Sequence, residues 1–142
     1  MIVPMKTLYT TTAVATGDGR DGHIQTTDGL LAADVRTPVE LGGAGGATNP
    51  EQLFAAGYAA CFHSALKVVA GQYDADTTDS EVVADVSLGM LDGGGFGLAV
   101  ALEVSLPAME RESALVLVKA AHEVCPYSNA TRDNIVVDLV LV

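Results

Sequence analysis

Thr48-Asn49-Pro50-Glu51-Gln52-Leu53-Phe54-Ala55-Ala56-Gly57-Tyr58-Ala59-Ala60-Cys61-Phe62-His63-Ser64-Ala65-Leu66-Lys67-Val68-Val69-Ala70 is the stretch on which the fold turns. Its first four residues start a helix. Asn49 or Thr48 offers a capping oxygen, Pro50 suits the first helical position, and Glu51 places a carboxylate in the first turn, as in a capping box. The residues beyond Gln52 are small and apolar almost all round. The stretch therefore reads as a helix over 50–70 that is buried on nearly every side. A small domain has little material to wrap such a helix. Gly57, Ala59, Ala60 and Ala65 permit close approach of another element, so a two-fold dimer that covers it is expected. Cys61 lies in its middle.

Outward from this helix the pattern alternates between strand and turn. Residues 7–16 read as a strand, Gly17-Asp18-Gly19-Arg20-Asp21-Gly22 as a turn, and residues 23–27 and 30–35 as two further strands around Asp28-Gly29. The turn spells Gly-x-Gly-x-x-Gly, but a dinucleotide fingerprint needs a helix after it, and here a strand comes next. Gly42-Gly43-Ala44-Gly45-Gly46-Ala47 is a loop with no Gly-Lys-Ser/Thr after it, which argues against a phosphate cradle. Residues 82–90 and 98–106 alternate apolar with polar or small side chains about Gly93-Gly94-Gly95, giving an antiparallel pair with one buried face each. A second helix is read over 109–124, with Leu115, Val118, Ala121, His122 and Cys125 on one face; Pro126 stops it. Residues 135–142 form a last strand. The class is α+β, two long helices packed with antiparallel sheets in a single domain over 1–142, with residues 1–5 a disordered or extension segment.

The totals narrow the function. With 142 residues the chain can build one real core, and with no Trp and few aromatics that core relies on Val, Leu, Ala and Gly. A formal charge of −11 with seven Lys and Arg argues against nucleic acid and against an anionic membrane surface. No leader pattern is read at the start, and the unbroken apolar run over 53–62 is too short to span a bilayer. A cytoplasmic protein is expected, and in that reducing compartment a purely structural disulfide is improbable.

Two cysteines then need a role. Cys61 lies about ten residues past its helix start, beyond reach of the helix dipole, and a buried thiol without help is an inert small hydrophobe. Cys125, on the apolar face of the second helix, changes the balance. Packed helices are able to bring two such thiols within disulfide reach as a peroxidatic and a resolving pair. A reactive thiolate also needs a cation. Arg20, in its Gly-rich turn, is the best candidate, whereas Arg36, Arg111 and Arg132 read as more solvated. Glu51 stands about 15 Å along the helix from Cys61, at 1.5 Å per residue, so the two side chains do not touch in one straight helix. Either Arg20 bridges back, or Arg20 and Glu51 serve the neighbouring subunit's Cys61; the second is favoured. His23, His63 and His122 invite a zinc reading, but Cys61-x-His63 points the two ligands to different sides of a helix and no Cys-x-x-Cys is present, so no metal is expected.

Ala15-Thr16-Gly17, Gly19-Arg20-Asp21-Gly22, Glu40-Leu41-Gly42-Gly43, the string from Thr48 to Phe62, and Val124-Cys125-Pro126-Tyr127-Ser128-Asn129-Ala130-Thr131-Arg132 together resemble the organic hydroperoxide resistance proteins of the OsmC-like superfamily. The likeness runs over the chain from Met5, and Tyr-Ser-Asn-Ala-Thr favours that branch over its osmotically induced sister. The resemblance implies an OsmC-like fold in an intertwined homodimer and a thiol peroxidase for organic, including fatty-acid, hydroperoxides. It implies Cys61 as the peroxidatic nucleophile and Cys125 as the resolving thiol that forms a Cys61–Cys125 disulfide. Arg20, held by Glu51, would stabilise the thiolate. No bound cofactor is implied; the reductant is an external dithiol, dihydrolipoamide on a lipoylated protein. The competing readings are a sister-branch peroxidase with broader peroxide use, a redox sensor, and a non-catalytic dimer that binds an apolar ligand.

Overall fold

In the computed structural model, which describes residues 2–142, the chain divides into two compact units, the first ending at Pro50 and the second spanning Glu51–Val142. In the first, β1 (Ala13–Asp18), β2 (Asp21–Thr26) and β3 (Ala32–Asp34) form an antiparallel meander in the order β1-β2-β3. Strand, turn and strand thus occupy the Gly-x-Gly-x-x-Gly motif, as its sequence context requires. Gly19 and Arg20 are the two-residue tip between the paired Asp18 and Asp21, and Gly19 takes φ +66°. A φ of that sign at the first tip residue costs glycine nothing and suits the twist of a tight hairpin. Gly22 is needed for a different reason: a Cβ there would lie 2.1 Å from the Thr16 carbonyl oxygen.

The first strand is shorter than the 7–16 read from sequence. Asp28 accepts bonds from Thr26 Oγ1 (2.7 Å) and the Leu30 amide (3.0 Å), and this side-chain turn ends β2. Residues before Ala13 therefore have no β2 partner, and Thr27 N to Thr12 O is the last cross-strand bond. β3 is also shorter than 30–35. Val35, buried, instead makes an isolated parallel bridge to Thr48, and the Arg36 amide donates to the Thr48 carbonyl at 2.9 Å. Met1 lies outside the described residues, and residues 2–12 carry no regular secondary structure.

The second unit contains α1 (Pro50–Tyr73), β4 (Glu81–Met90), β5 (Phe96–Ser105), α2 (Arg111–Val124), α3 (Pro126–Thr131) and β6 (Val137–Leu141). α1 runs three residues past the expected Ala70. It stops where Asp74 takes φ +51° and the Ala75 amide closes onto the Ala70 carbonyl at 2.9 Å, a left-handed cap made without glycine. β4 and β5 pair antiparallel from Glu81↔Ser105 to Met90↔Phe96, and the inward set Val100, Leu102, Val104 and Leu106 is buried. β6 corrects the expectation of purely antiparallel sheet. It pairs with β5 in parallel, Val100↔Val137 to Val104↔Leu141, because α2 and α3 carry the chain back to the end at which β5 begins.

Phe62, Leu66 and Val69 of α1 pack with β5 and with Leu117, Val118 and Ala121 of α2 to form the core. Two expectations are corrected here. The buried side of α2 is Ala114, Leu117, Val118 and Ala121, so Leu115 and His122 flank it rather than centre it. α1 is not buried all round within the chain: Ala56, Ala60, Ser64 and Val68, four residues apart, form an exposed stripe opposite Tyr58, Phe62, Ala65 and Leu66. α1 has the length and composition to cross a bilayer, which the short run over 53–62 had concealed, but its large side chains belong to this core.

Candidate functional site: a dithiol at a helix junction

Pro126 builds the site. A residue before proline is driven out of the helical region, and Cys125 accordingly sits at ψ 123°. This ends α2 and, in the same residue, begins α3, whose first helical position is Pro126. Backbone bonds hold Cys125 from both sides, with its amide donating to the Ala121 carbonyl and its carbonyl accepting from the Asn129 amide, each at 2.9 Å. Cys125 is fully buried; Cys61, on α1, is half-buried. Both are free thiols, and the Cys125 S–H points at Cys61 Sγ across 3.5 Å.

Burial pushes the Cys61 thiol above its ordinary value, the backbone amide of Tyr127 pulls it down, and the neighbouring Cys125 adds to the rise. A Cys125 S–H directed at Cys61 Sγ would act in the opposite sense, toward the thiolate, so desolvation is the cause that decides the direction. The net direction is upward, set by desolvation. A nucleophile here needs a positive charge brought to it.

Aromatic rings cover the junction. Phe54, Tyr58 and Tyr127 lie with centroids 5.6–6.2 Å apart in tilted and edge-on pairs. Gly57 makes room for the Tyr127 ring, since a Cβ there would come within 2.7 Å of Tyr127 Oη. Beside these rings opens a cavity of about 1020 Å³ lined by Phe54, Phe96, Leu98, Tyr127, Ile135 and Val136 among others, large enough for a bulky apolar ligand. Neither cysteine lines it; Pro126 and Tyr127, next to Cys125 in the chain, do. A smaller cavity of about 400 Å³ lies near Tyr73, Met109 and Leu117.

Behind the sulfurs lies a polar cluster that sequence reading missed. Tyr58 Oη meets Ser128 Oγ at 2.8 Å and Thr131 Oγ1 at 3.0 Å, and Ser128 Oγ also meets His122 Nδ1 at 2.8 Å. Burial, with Arg132 nearby, lowers the His122 pKa. Arg132 is not the solvated side chain expected: it donates to the His122 carbonyl and to Asn129 Oδ1, and its Nε is buried with no partner among the described residues. The signal in the sequence was spacing, since Tyr58 precedes Cys61 by three residues and Ser128 comes three after Cys125.

The other candidates lie on the following elements. Arg20 is half-buried at the β1–β2 tip in the first unit. Glu51 is in the first turn of α1, ten residues from Cys61, so about 15 Å of helix axis separates them. The three histidines are dispersed, with His23 on Asp34 (3.0 Å), His63 on Ser80 (2.9 Å) and His122 on Ser128. Among the described residues no three His, Cys, Asp or Glu side chains converge as metal ligands.

Comparison with known proteins places the whole chain in one family. Residues 43–140 match the family described as OsmC-like protein. An organic hydroperoxide resistance protein from Xanthomonas axonopodis pv. citri is 54% identical, covering 99% of each chain. Among solved structures, an organic hydroperoxide resistance protein from Legionella pneumophila superposes with a TM-score of 0.92 at 54% identity, covering 96% of this chain and 98% of that one. OhrB of Bacillus subtilis gives 0.87 at 47% identity over 96% and 100% of the two chains. The chain belongs to the OsmC-like family, in its organic hydroperoxide resistance branch.

Proposed function

We propose that this chain is a cysteine-based peroxidase that reduces organic hydroperoxides, including those of fatty acids, to alcohols. The observation that carries the reading is the pair of free sulfurs 3.5 Å apart, one half-buried and one buried. The Cys61 thiolate attacks the distal oxygen of the hydroperoxide. An S–O bond forms as the O–O bond breaks, the alkoxide leaves and takes a proton, and Cys61 becomes a sulfenic acid. Cys125 then attacks that sulfur; the S–S bond forms, the S–O bond breaks, and the hydroxyl leaves with the thiol proton as water. A disulfide of about 2.05 Å needs the sulfurs to close by roughly 1.5 Å. An external dithiol, dihydrolipoamide on a lipoylated protein, reopens it by two exchanges and is itself oxidised to a cyclic disulfide. No metal, haem or flavin enters the cycle.

Because burial raises the Cys61 thiol, the cycle needs a cation, and Arg20 is its proposed source, oriented by Glu51. The exposed small-residue stripe of α1 supports a homodimer. In that dimer Arg20 and Glu51 serve the partner's Cys61. The apolar cavity beside Tyr127 supports a bulky substrate, and the acidic chain is assigned to the cytoplasm.

The test is steady-state reduction of cumene hydroperoxide by dihydrolipoamide. Cys61→Ser should be inactive. Cys125→Ser should consume one peroxide per chain and stall as the sulfenic acid. Both thiols of the wild type surviving an equivalent of peroxide would remove the reading. Mixing Cys61→Ser with Arg20→Ala chains tests the shared site: recovered activity in the mixed dimer supports it, and none refutes it.

A further inference from the structure

Two contacts between α1 and α3 share one spacing. Cys61 meets Cys125 at 3.5 Å, and Tyr58, three residues before Cys61, meets Ser128, three residues after Cys125, at 2.8 Å. Tyr58 and Ser128 are both 0% exposed, so neither hydroxyl exchanges its partner for water. Thr131 Oγ1 meets Tyr58 at 3.0 Å and the Ser128 carbonyl at 3.3 Å, and Ser128 Oγ joins Tyr58 to His122 Nδ1. Each hydroxyl both donates and accepts, so the run His122–Ser128–Tyr58–Thr131 is satisfied with the protons running in either sense. Such a closed buried network holds its members in one arrangement.

We propose that Tyr58 is a positioning residue for disulfide closure: through Ser128 its hydroxyl seats the start of α3 against α1, holding Cys125 where it attacks the oxidised Cys61. The proposal rests on the peroxidase reading. It concerns the second chemical step, in which the S–S bond replaces the S–O bond and water leaves; attack on the peroxide uses Cys61 on α1 itself. Tyr58 touches neither reacting oxygen nor substrate in this role.

Tyr58→Phe keeps the ring and its packing on Phe54 and Tyr127 and removes only the hydroxyl. One equivalent of cumene hydroperoxide is added to the reduced protein. Peroxide loss is monitored by stopped flow, and Cys61 sulfenic acid and Cys61–Cys125 disulfide by dimedone trapping and mass spectrometry. The expected result is peroxide consumption within about threefold of wild type but closure slowed about 10- to 100-fold, the scale of an ångström misplacement. More trapped sulfenic acid and earlier over-oxidation to sulfinic acid should accompany it. Ser128→Ala should reproduce the delay from the other helix, Ser128→Thr should restore closure, and the double variant should be no slower than either single one. Closure at the wild-type rate in Tyr58→Phe and Ser128→Ala overturns the proposal. So does equal slowing of both steps, or loss of folding in both variants, since the hydroxyls are then merely structural. A wild type that never forms the disulfide instead defeats the peroxidase reading.

Discussion

Replacing Gly22 by alanine tests the link between a backbone constraint and the proposed cation. The new methyl carbon would lie 2.1 Å from the Thr16 carbonyl oxygen and 3.2 Å from the Asp18 amide nitrogen, all main-chain atoms that cannot swing aside. A comfortable C···O contact is about 3.3 Å, so the strands must part by roughly 1.2 Å. The rungs nearest the tip, Gly17↔Gly22 and Asp18↔Asp21, would then fail. The Gly22 carbonyl also accepts from the Val35 amide (2.9 Å) and Arg36 Nη1 (3.1 Å). At about 1 kcal/mol per bond, losing two to four gives a destabilisation of about 2–4 kcal/mol. Arg20 stands two residues away, at the tip those rungs hold. If it stabilises the thiolate and the peroxide, its misplacement costs about 10²–10³ in kcat/KM, the scale of one lost charge-stabilising donor. The assay is a double-mutant cycle of Gly22→Ala and Arg20→Ala, with thermal melts alongside hydroperoxide reduction. Gly22→Ala should approach Arg20→Ala in activity, and the double variant should be no worse than Arg20→Ala alone. Wild-type turnover in Gly22→Ala, or fully additive losses in the double variant, would refute the reasoning.

Three further outcomes rest on the same geometry. Arg20→Ala should leave Cys61 with only burial, the Tyr127 amide and Cys125 acting on it, so the midpoint of iodoacetamide alkylation against pH should rise above that of wild type; an unmoved midpoint removes Arg20 as the cation. His122 has a folded-state pKa below its unfolded one, so the unfolded chain takes up protons first as pH falls below about 6.5. Stability is therefore fully present above that pH and lost below it, and His122→Asn, which retains a donor without titrating, should flatten the fall in Tm between pH 7 and 5. Leu66→Ala, at a fully buried position in the α1 core, should cost about 2–5 kcal/mol in urea melts, and a loss below 1 kcal/mol would contradict its placement there.

Much of the architecture was legible because periodicity and punctuation agreed. The alternation at Val100, Leu102 and Val104, the cap at Thr48 to Glu51, and the glycines of the first hairpin each name an element by its own local chemistry. What was not legible depended on partners distant in sequence. The parallel direction of β6 comes from the helical crossover before it, not from any residue within it. α3 was hidden because Pro126 stops one helix and starts the next, and only the second role needs the bond from Asn129 N to Cys125 O to be seen. Cys61 and Cys125 stood out as the only two thiols. Tyr58 and Ser128 did not, because a tyrosine in an apolar helix reads as packing until its hydroxyl is given a neighbour 70 residues away.

The place of β6 beside β5 has a consequence for how the protein is made. Val137–Leu141 is the last strand of the chain, yet it adds to one written more than thirty residues earlier, and the stretch between the two carries Cys125. During synthesis α1 and the β4–β5 hairpin emerge from the ribosome first. The segment with the second thiol is clamped in place only when the closing residues are free to dock. A chain halted before Val137 would thus leave the segment that carries Cys125 without the strand that closes over it, and Cys61 without its neighbouring sulfur.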